Sequence, residues 1–131
     1  MKRENLKSIL YVDDEPDIRE VVQMSLSLVD SLDVHTCESG ERALLVLPEL
    51  RPDLLLLDVM MPGMDGPSTL QRIRTMTGFE TMPVIFMTAK AMPQEVARFR
   101  ELGAAAVIAK PFDPLKLGTQ VMTVWEGLAN A

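Results

Sequence analysis

The sequence predicts an α/β domain, a single (βα)5 doubly wound parallel sheet, and three observations carry that expectation. Ile9-Leu10-Tyr11-Val12, Leu54-Leu55-Leu56-Leu57, Val84-Ile85-Phe86-Met87 and Ala106-Val107-Ile108-Ala109 are short, unbroken apolar runs. Such runs are too short for helices, and continuous apolarity is what a strand shows when helices cover both of its faces. Between the runs, apolar residues recur at helical spacing. Strand and helix alternate with no linker, repeat or low-complexity stretch, a pattern that right-handed crossovers turn into one parallel sheet.

Taken in order, strand one is Ile9 to Val12. Helix one opens near Pro16, where a missing N–H costs little, and shows Ile18, Val21, Val22, Ser25, Leu28 and Val29 at helical spacing. Val34-His35-Thr36-Cys37 is mixed enough for an edge strand. Ser39 caps a second helix carrying Glu41, Ala43, Leu44 and Leu47, with an end near Pro48 to Pro52. After the third strand, Leu70, Ile73 and Met76 mark helix three. Pro93 opens helix four through Val96, Phe99 and Leu102, closed by Gly103, where a left-handed residue is wanted. Asp113-Pro114 is expected to cap helix five, whose stripe is Leu117, Val121, Val124 and Leu128.

Composition narrows the function. At 131 residues the chain is one domain in size. With 13 basic and 19 acidic residues the net charge is -6, which argues against nucleic acid or an anionic membrane as partners and in favour of proteins. The lone cysteine, Cys37, and lone histidine, His35, cannot build a thiolate or imidazole metal site, and a reducing cytoplasm is the expected location. The apolar stretch near the start is too short for a signal peptide, and no run approaches transmembrane length. Cys37 reads as a packing residue, His35 as structural rather than a phosphoacceptor. Trp125 reads equally as an exposed docking anchor or as edge-of-core packing. Most of the ten methionines read as core, with Met60, Met61 and Met64 excepted as loop residues.

In an open α/β sheet, ligands bind beyond the carboxyl ends of the strands, where the strand order reverses. The residues there are Asp13 and Asp14 after strand one, Asp58 after strand three, Thr88 after strand four and Lys110 after strand five. In the order 2-1-3-4-5, one of two common ones, strands one and three are neighbours and the three aspartates converge, flanked by Thr88 and Lys110. Clustered carboxylates repel and call for a cation. Oxygen donors with few protein ligands favour magnesium, with Asp14 and Asp58 as the best ligands and a backbone carbonyl near Met60 as a third. Carboxylate, hard cation, ammonium and hydroxyl together suit phosphoryl transfer, with Asp58 as nucleophile. A carboxylate is already ionised at neutral pH and needs no general base.

VDDE at 12 to 15, LLDVMMPGMDG at 56 to 66, MTA at 87 to 89 and AKPF at 109 to 112 resemble the receiver-domain signature of response regulators, over residues 8 to about 128. The resemblance implies a flavodoxin-like receiver fold, phosphoacceptor Asp58, acidic metal ligands Asp13 and Asp14, Thr88 bonded to the phosphoryl group, and Lys110 paired with it before a cis proline peptide. It further implies a histidine kinase or histidine phosphotransfer protein as donor, and output through the face of helix four, strand five and helix five. The family often carries an aromatic switch residue three positions before the lysine; here that residue is Val107. Met60 and Lys90 resemble positions that tune access of water to the phosphoryl group.

Each residue has an ordinary alternative when taken alone. Asp14 before Glu15-Pro16 could cap a helix, Asp58 before Pro62 and Gly63 could shape a turn, Thr88 could end a strand, and Lys110 could be a solvated cation. Joint placement on one sheet edge favours function. A phosphoaspartate hydrolase would use a second carboxylate two residues beyond the nucleophile, where Met60 stands. A flavodoxin-like cofactor binder would need a Ser-, Thr- or Gly-rich phosphate loop where this chain has Asp13-Asp14-Glu15. The expectation is therefore a receiver over 1–131 with no effector domain, monomeric or weakly homodimeric, that is not a turnover enzyme on a separate substrate. A nonphosphorylated scaffolding receiver, or one excised from a hybrid kinase or longer regulator, would look the same.

Overall fold

The computed structural model describes residues 5–129. Five strands, β1 (Ser8–Val12), β2 (Asp33–Cys37), β3 (Leu54–Asp58), β4 (Val84–Thr88) and β5 (Ala106–Ala109), alternate with five helices. The helices are α1 (Pro16–Leu26), α2 (Gly40–Leu50), α3 (Gly66–Ile73), α4 (Pro93–Glu101) and α5 (Leu117–Ala129). The strands form one parallel sheet in the order β2-β1-β3-β4-β5, as expected.

Alternation along each strand divides the core into two layers. Leu10, Val12, Leu55, Leu57, Val84 and Phe86 face Ala43, Leu47, Leu70, Ile73 and Phe99 from α2, α3 and α4. Ile9, Tyr11, Leu54, Leu56, Ile85, Met87 and Ile108 face Val22 and Leu26 of α1 and Leu117, Val121 and Trp125 of α5. β3 and β4 are buried throughout, because strands lie on both sides of each and helices lie on both faces. Two side chains therefore end their strands inside the protein rather than in solvent: Asp58, 5% exposed, and Thr88, 2% exposed.

Several local expectations are corrected. α1 stops at Leu26, and Leu28 is 68% exposed, so the stripe ends one turn early. α2 ends where anticipated, running through Pro48 to Leu50 before Arg51 turns left-handed at φ 46°, and Ser39 accepts from the Arg42 N–H as expected of its cap. In α4 only Phe99 is buried, whereas Leu102 is 47% exposed; Gly103 follows at φ +113°, as its residue type suggested. Asp113 caps the turn that leads into α5, as anticipated: its carboxylate accepts from Leu115 N–H and its carbonyl from Lys116 and Leu117, while the Pro114 carbonyl accepts from Ser25 Oγ. Met61 packs in the core at 8% exposure, in the layer that also holds Ala43, Leu47, Leu70 and Ile73, whereas Met24 and Met92 are exposed. Trp125 is 6% exposed, so packing rather than an exposed anchor is its role.

Candidate functional site

The carboxyl ends of β1, β3, β4 and β5 gather the residues that the sequence singled out. Asp13 follows β1, its N–H bonded to the Cys37 carbonyl of β2, and is wholly buried. Asp58 ends β3, and Thr88 ends β4 one step beyond its neighbour Met87. Lys110 follows β5, its N–H bonded to the Thr88 carbonyl, and its peptide to Pro111 is cis, as the resemblance implied.

One oxygen from each of Asp13, Asp14 and Asp58 lies within 4.8 Å of the others. The Lys110 ammonium reaches into this cluster from the side and donates to Asp13 Oδ2 and Asp58 Oδ1, each at 3.0 Å. Ion pairs this sheltered are held together by geometry, since each charge would be costly without its partner. Burial raises the pKa of the Asp58 carboxyl, with the hydrogen bond from Lys110 acting against it and the charge of Asp13 adding to it. Burial works to lower the Lys110 ammonium, but the hydrogen bonds to Asp58 and Asp13 outweigh it and its pKa is raised. The lysine is therefore a permanent cation at neutral pH.

The remaining contacts hold this cluster in place. Asp13 Oδ1 accepts from the Glu15 N–H at 3.0 Å, and the Asp13 carbonyl accepts from Arg19 Nη1 at 2.7 Å. Glu15, not Asp14, occupies the N-cap position of α1, and its side chain makes no capping bond, so the helix-cap alternative for Asp14 does not apply. Gly66 lets α3 start against the end of β3: its N–H bonds Val59 O at 2.9 Å, and a Cβ there would stand 2.7 Å from the Asp58 carbonyl oxygen. Thr88 Oγ1 accepts from the Lys90 N–H at 3.0 Å. Met60, in the loop beyond Asp58, leaves 67% of its surface exposed, and Lys90 is exposed as well.

Sequence reasoning missed Tyr11 and Arg19. Tyr11 is wholly buried in β1, and its hydroxyl donates to Asp13 Oδ2 at 2.5 Å. The signal was available: Tyr11 is a hydroxyl-bearing aromatic in an otherwise aliphatic strand, two residues before Asp13 and so on the same face. Burial, reinforced by Asp13, keeps that phenol protonated by raising its pKa far above the usual range. The His35 ring pairs with Asp33 on the edge strand at 2.9 Å, and burial pushes the Cys37 thiol up to about 11.

Residues 9–122 match the response regulator receiver domain family. The chain belongs to that family. This receiver is 37% identical over 110 residues to the response regulator Rre1 of Synechocystis, covering 84% of this chain and 48% of the relative. It is 37% identical over 113 residues to the DNA-binding response regulator MtrA of Mycolicibacterium smegmatis, covering 86% and 48%. The chain thus spans about half the length of these curated relatives. The chemotaxis protein CheY4 of Vibrio cholerae superposes with a TM-score of 0.83 at 28% identity, over 92% of this chain and 99% of that one. The receiver is a module of two-component signalling. Among the described residues, no helix is long and apolar enough to cross a membrane.

Proposed function

We propose that this receiver accepts a phosphoryl group on Asp58 from a histidine kinase or a histidine phosphotransfer protein, and that phosphorylation switches a protein-binding surface. The observation that carries the reading is the Lys110 ammonium bridging Asp13 and Asp58 inside a three-carboxylate cluster at one sheet edge. An Asp58 carboxylate oxygen attacks phosphorus, and a P–O bond forms as the P–N bond to the donor imidazole breaks, its electron pair staying on nitrogen. Lys110, already at Asp58 Oδ1, follows the charge onto the equatorial phosphoryl oxygens. Thr88 Oγ1 takes the Lys90 N–H, which leaves its hydroxyl proton to donate to the phosphoryl group.

The donor set, all oxygen and clustered within 4.8 Å, fits a hard divalent cation. Magnesium held by Asp13, Asp14, Asp58 and the Met60 carbonyl supplies, when bound, positive charge beside the phosphoryl oxygens. The switched surface is the face of α4, β5 and α5, where half-buried Val107 stands beside exposed Lys116, Thr119, Gln120 and Thr123. Output through this domain is protein binding. DNA binding is named for MtrA, and a net charge of -6 provides no electrostatic footprint for nucleic acid here.

Intact-protein mass spectrometry after incubation with acetyl phosphate, with and without magnesium, tests the reading. A single magnesium-dependent phosphate adduct is expected on the wild type and none on Asp58→Asn. No adduct with acetyl phosphate or with a panel of kinases would leave a scaffolding receiver instead.

A further inference from the structure

Asp13 is the most enclosed member of the cluster, and its carboxylate already accepts three hydrogen bonds. Tyr11 Oη and Lys110 Nζ both donate to Oδ2, and the Glu15 N–H donates to Oδ1. An ionised carboxylate offers about four lone-pair directions, so one remains open, on Oδ1. Tyr11 arrives from the packed layer beneath α1 and α5, where a phenylalanine would fill the same volume. Among the described residues its hydroxyl has one hydrogen-bond partner, Asp13.

We propose that Tyr11 is a positioning residue of the phosphoryl-transfer site, acting through Asp13. Its hydroxyl holds the carboxylate plane so that Oδ2 shares Lys110 with Asp58 while Oδ1 turns its open lone pair to the divalent cation. Without the hydroxyl, Oδ2 retains only the ammonium, and the carboxylate can swing both oxygens onto Lys110. That rotation withdraws Oδ1 from the cation and draws Lys110 away from Asp58, so one missing proton donor weakens two functions at once. The inference rests on the receiver chemistry proposed above.

The test is calorimetric titration of the whole chain with magnesium chloride alone, on wild type, Tyr11→Phe, Asp13→Asn and the double variant. Loss of a hydrogen bond behind a ligating carboxylate typically weakens a metal site about tenfold or more, and a loss of that order is expected for Tyr11→Phe. Adduct formation from acetyl phosphate, followed at saturating magnesium, should also slow in this variant, because Lys110 is misplaced even when the cation is bound. In the Asp13→Asn background, removing the tyrosine hydroxyl should change magnesium affinity no further, since its route of action is gone. Wild-type affinity in Tyr11→Phe, or an equal further loss in the double variant, overturns the proposal and leaves Tyr11 a packing residue. If Tyr11→Phe fails to fold, Tyr11→Leu, which matches the aliphatic strand and also lacks the hydroxyl, takes its place, and wild-type magnesium affinity in that variant overturns the proposal equally. A wild type that binds no magnesium and takes up no phosphoryl group sinks the receiver reading itself, an outcome distinct from a wild type that does both beside an unaffected Tyr11→Phe.

Discussion

Asp58 carries its charge in a place that resists it, and the resistance has a measurable sign. Burial raises its pKa above the ordinary 3.8, so in the window above that value the folded protein holds a proton the unfolded chain has lost. Stability contributed by this group therefore falls as pH rises through the window, and the full cost persists at neutral pH. Asp58→Asn removes the cost. In metal-free buffer at pH 7 the variant should be more stable by about 1 kcal/mol, a rise of roughly 3–5 °C in Tm, with the difference shrinking as pH falls towards 3.8. Thermal melts across pH 3.5 to 8 check this, and a variant less stable at every pH would contradict it. Met60 and Lys90, two residues beyond Asp58 and Thr88 respectively, are both exposed. The side chains are expected to slow water's approach, so a Met60→Ala, Lys90→Ala double variant should release phosphate several-fold faster than wild type; an unchanged half-life would refute that role.

Between elements, connections are held by a few side chains with several partners each. Arg74, just past α3, donates to the Phe79 and Met82 carbonyls at 3.1 and 2.8 Å and to Gly103 O at 3.1 Å. It thereby ties the approach to β4 to the turn after α4. Arg74→Ala strands several carbonyls and should cost about 2–3 kcal/mol, read as a lower urea midpoint with unchanged slope. A midpoint within error of wild type would show those carbonyls to be satisfied by water. α2 and α3 meet at Gly40, where a Cβ would stand 2.1 Å from Thr69 Oγ1, so the two helices approach more closely than any side chain at that position would allow.

Over the whole molecule, anchoring is uneven. α3 buries Gly66, Thr69, Leu70 and Ile73, whereas α4 buries Phe99 alone, edge-on to Phe86 at 5.1 Å between ring centroids. Few buried contacts mean a low local cost of opening. α4 amides should exchange hydrogen faster than those of α2 and α3 in the unphosphorylated protein, and phosphorylation should change exchange in α4 and β5 before any other element. Uniform protection across the helices, or a change confined to β2, would point the switch elsewhere. Half-buried Val107 packs against the core layer that holds Phe99 of this helix.

The apolar runs and the helical spacing determined the fold class, the strand boundaries to within a residue, and the strand ends at which Asp13, Asp14, Asp58, Thr88 and Lys110 stand. These are local consequences of side-chain period and burial, and a linear pattern can carry them. The tertiary structure alone decided what depends on distant residues meeting. Lys110 meets Asp58 from 52 positions away along the chain and Asp13 from 97. Tyr11 turned from core filler into a donor, Trp125 was buried, Met61 was folded inward, and the turn at Asp113 was closed by its own carboxylate while Ser25 took the next carbonyl. Periodicity assigns a side chain to a face, but which partner waits on that face is set by packing between elements far apart in sequence.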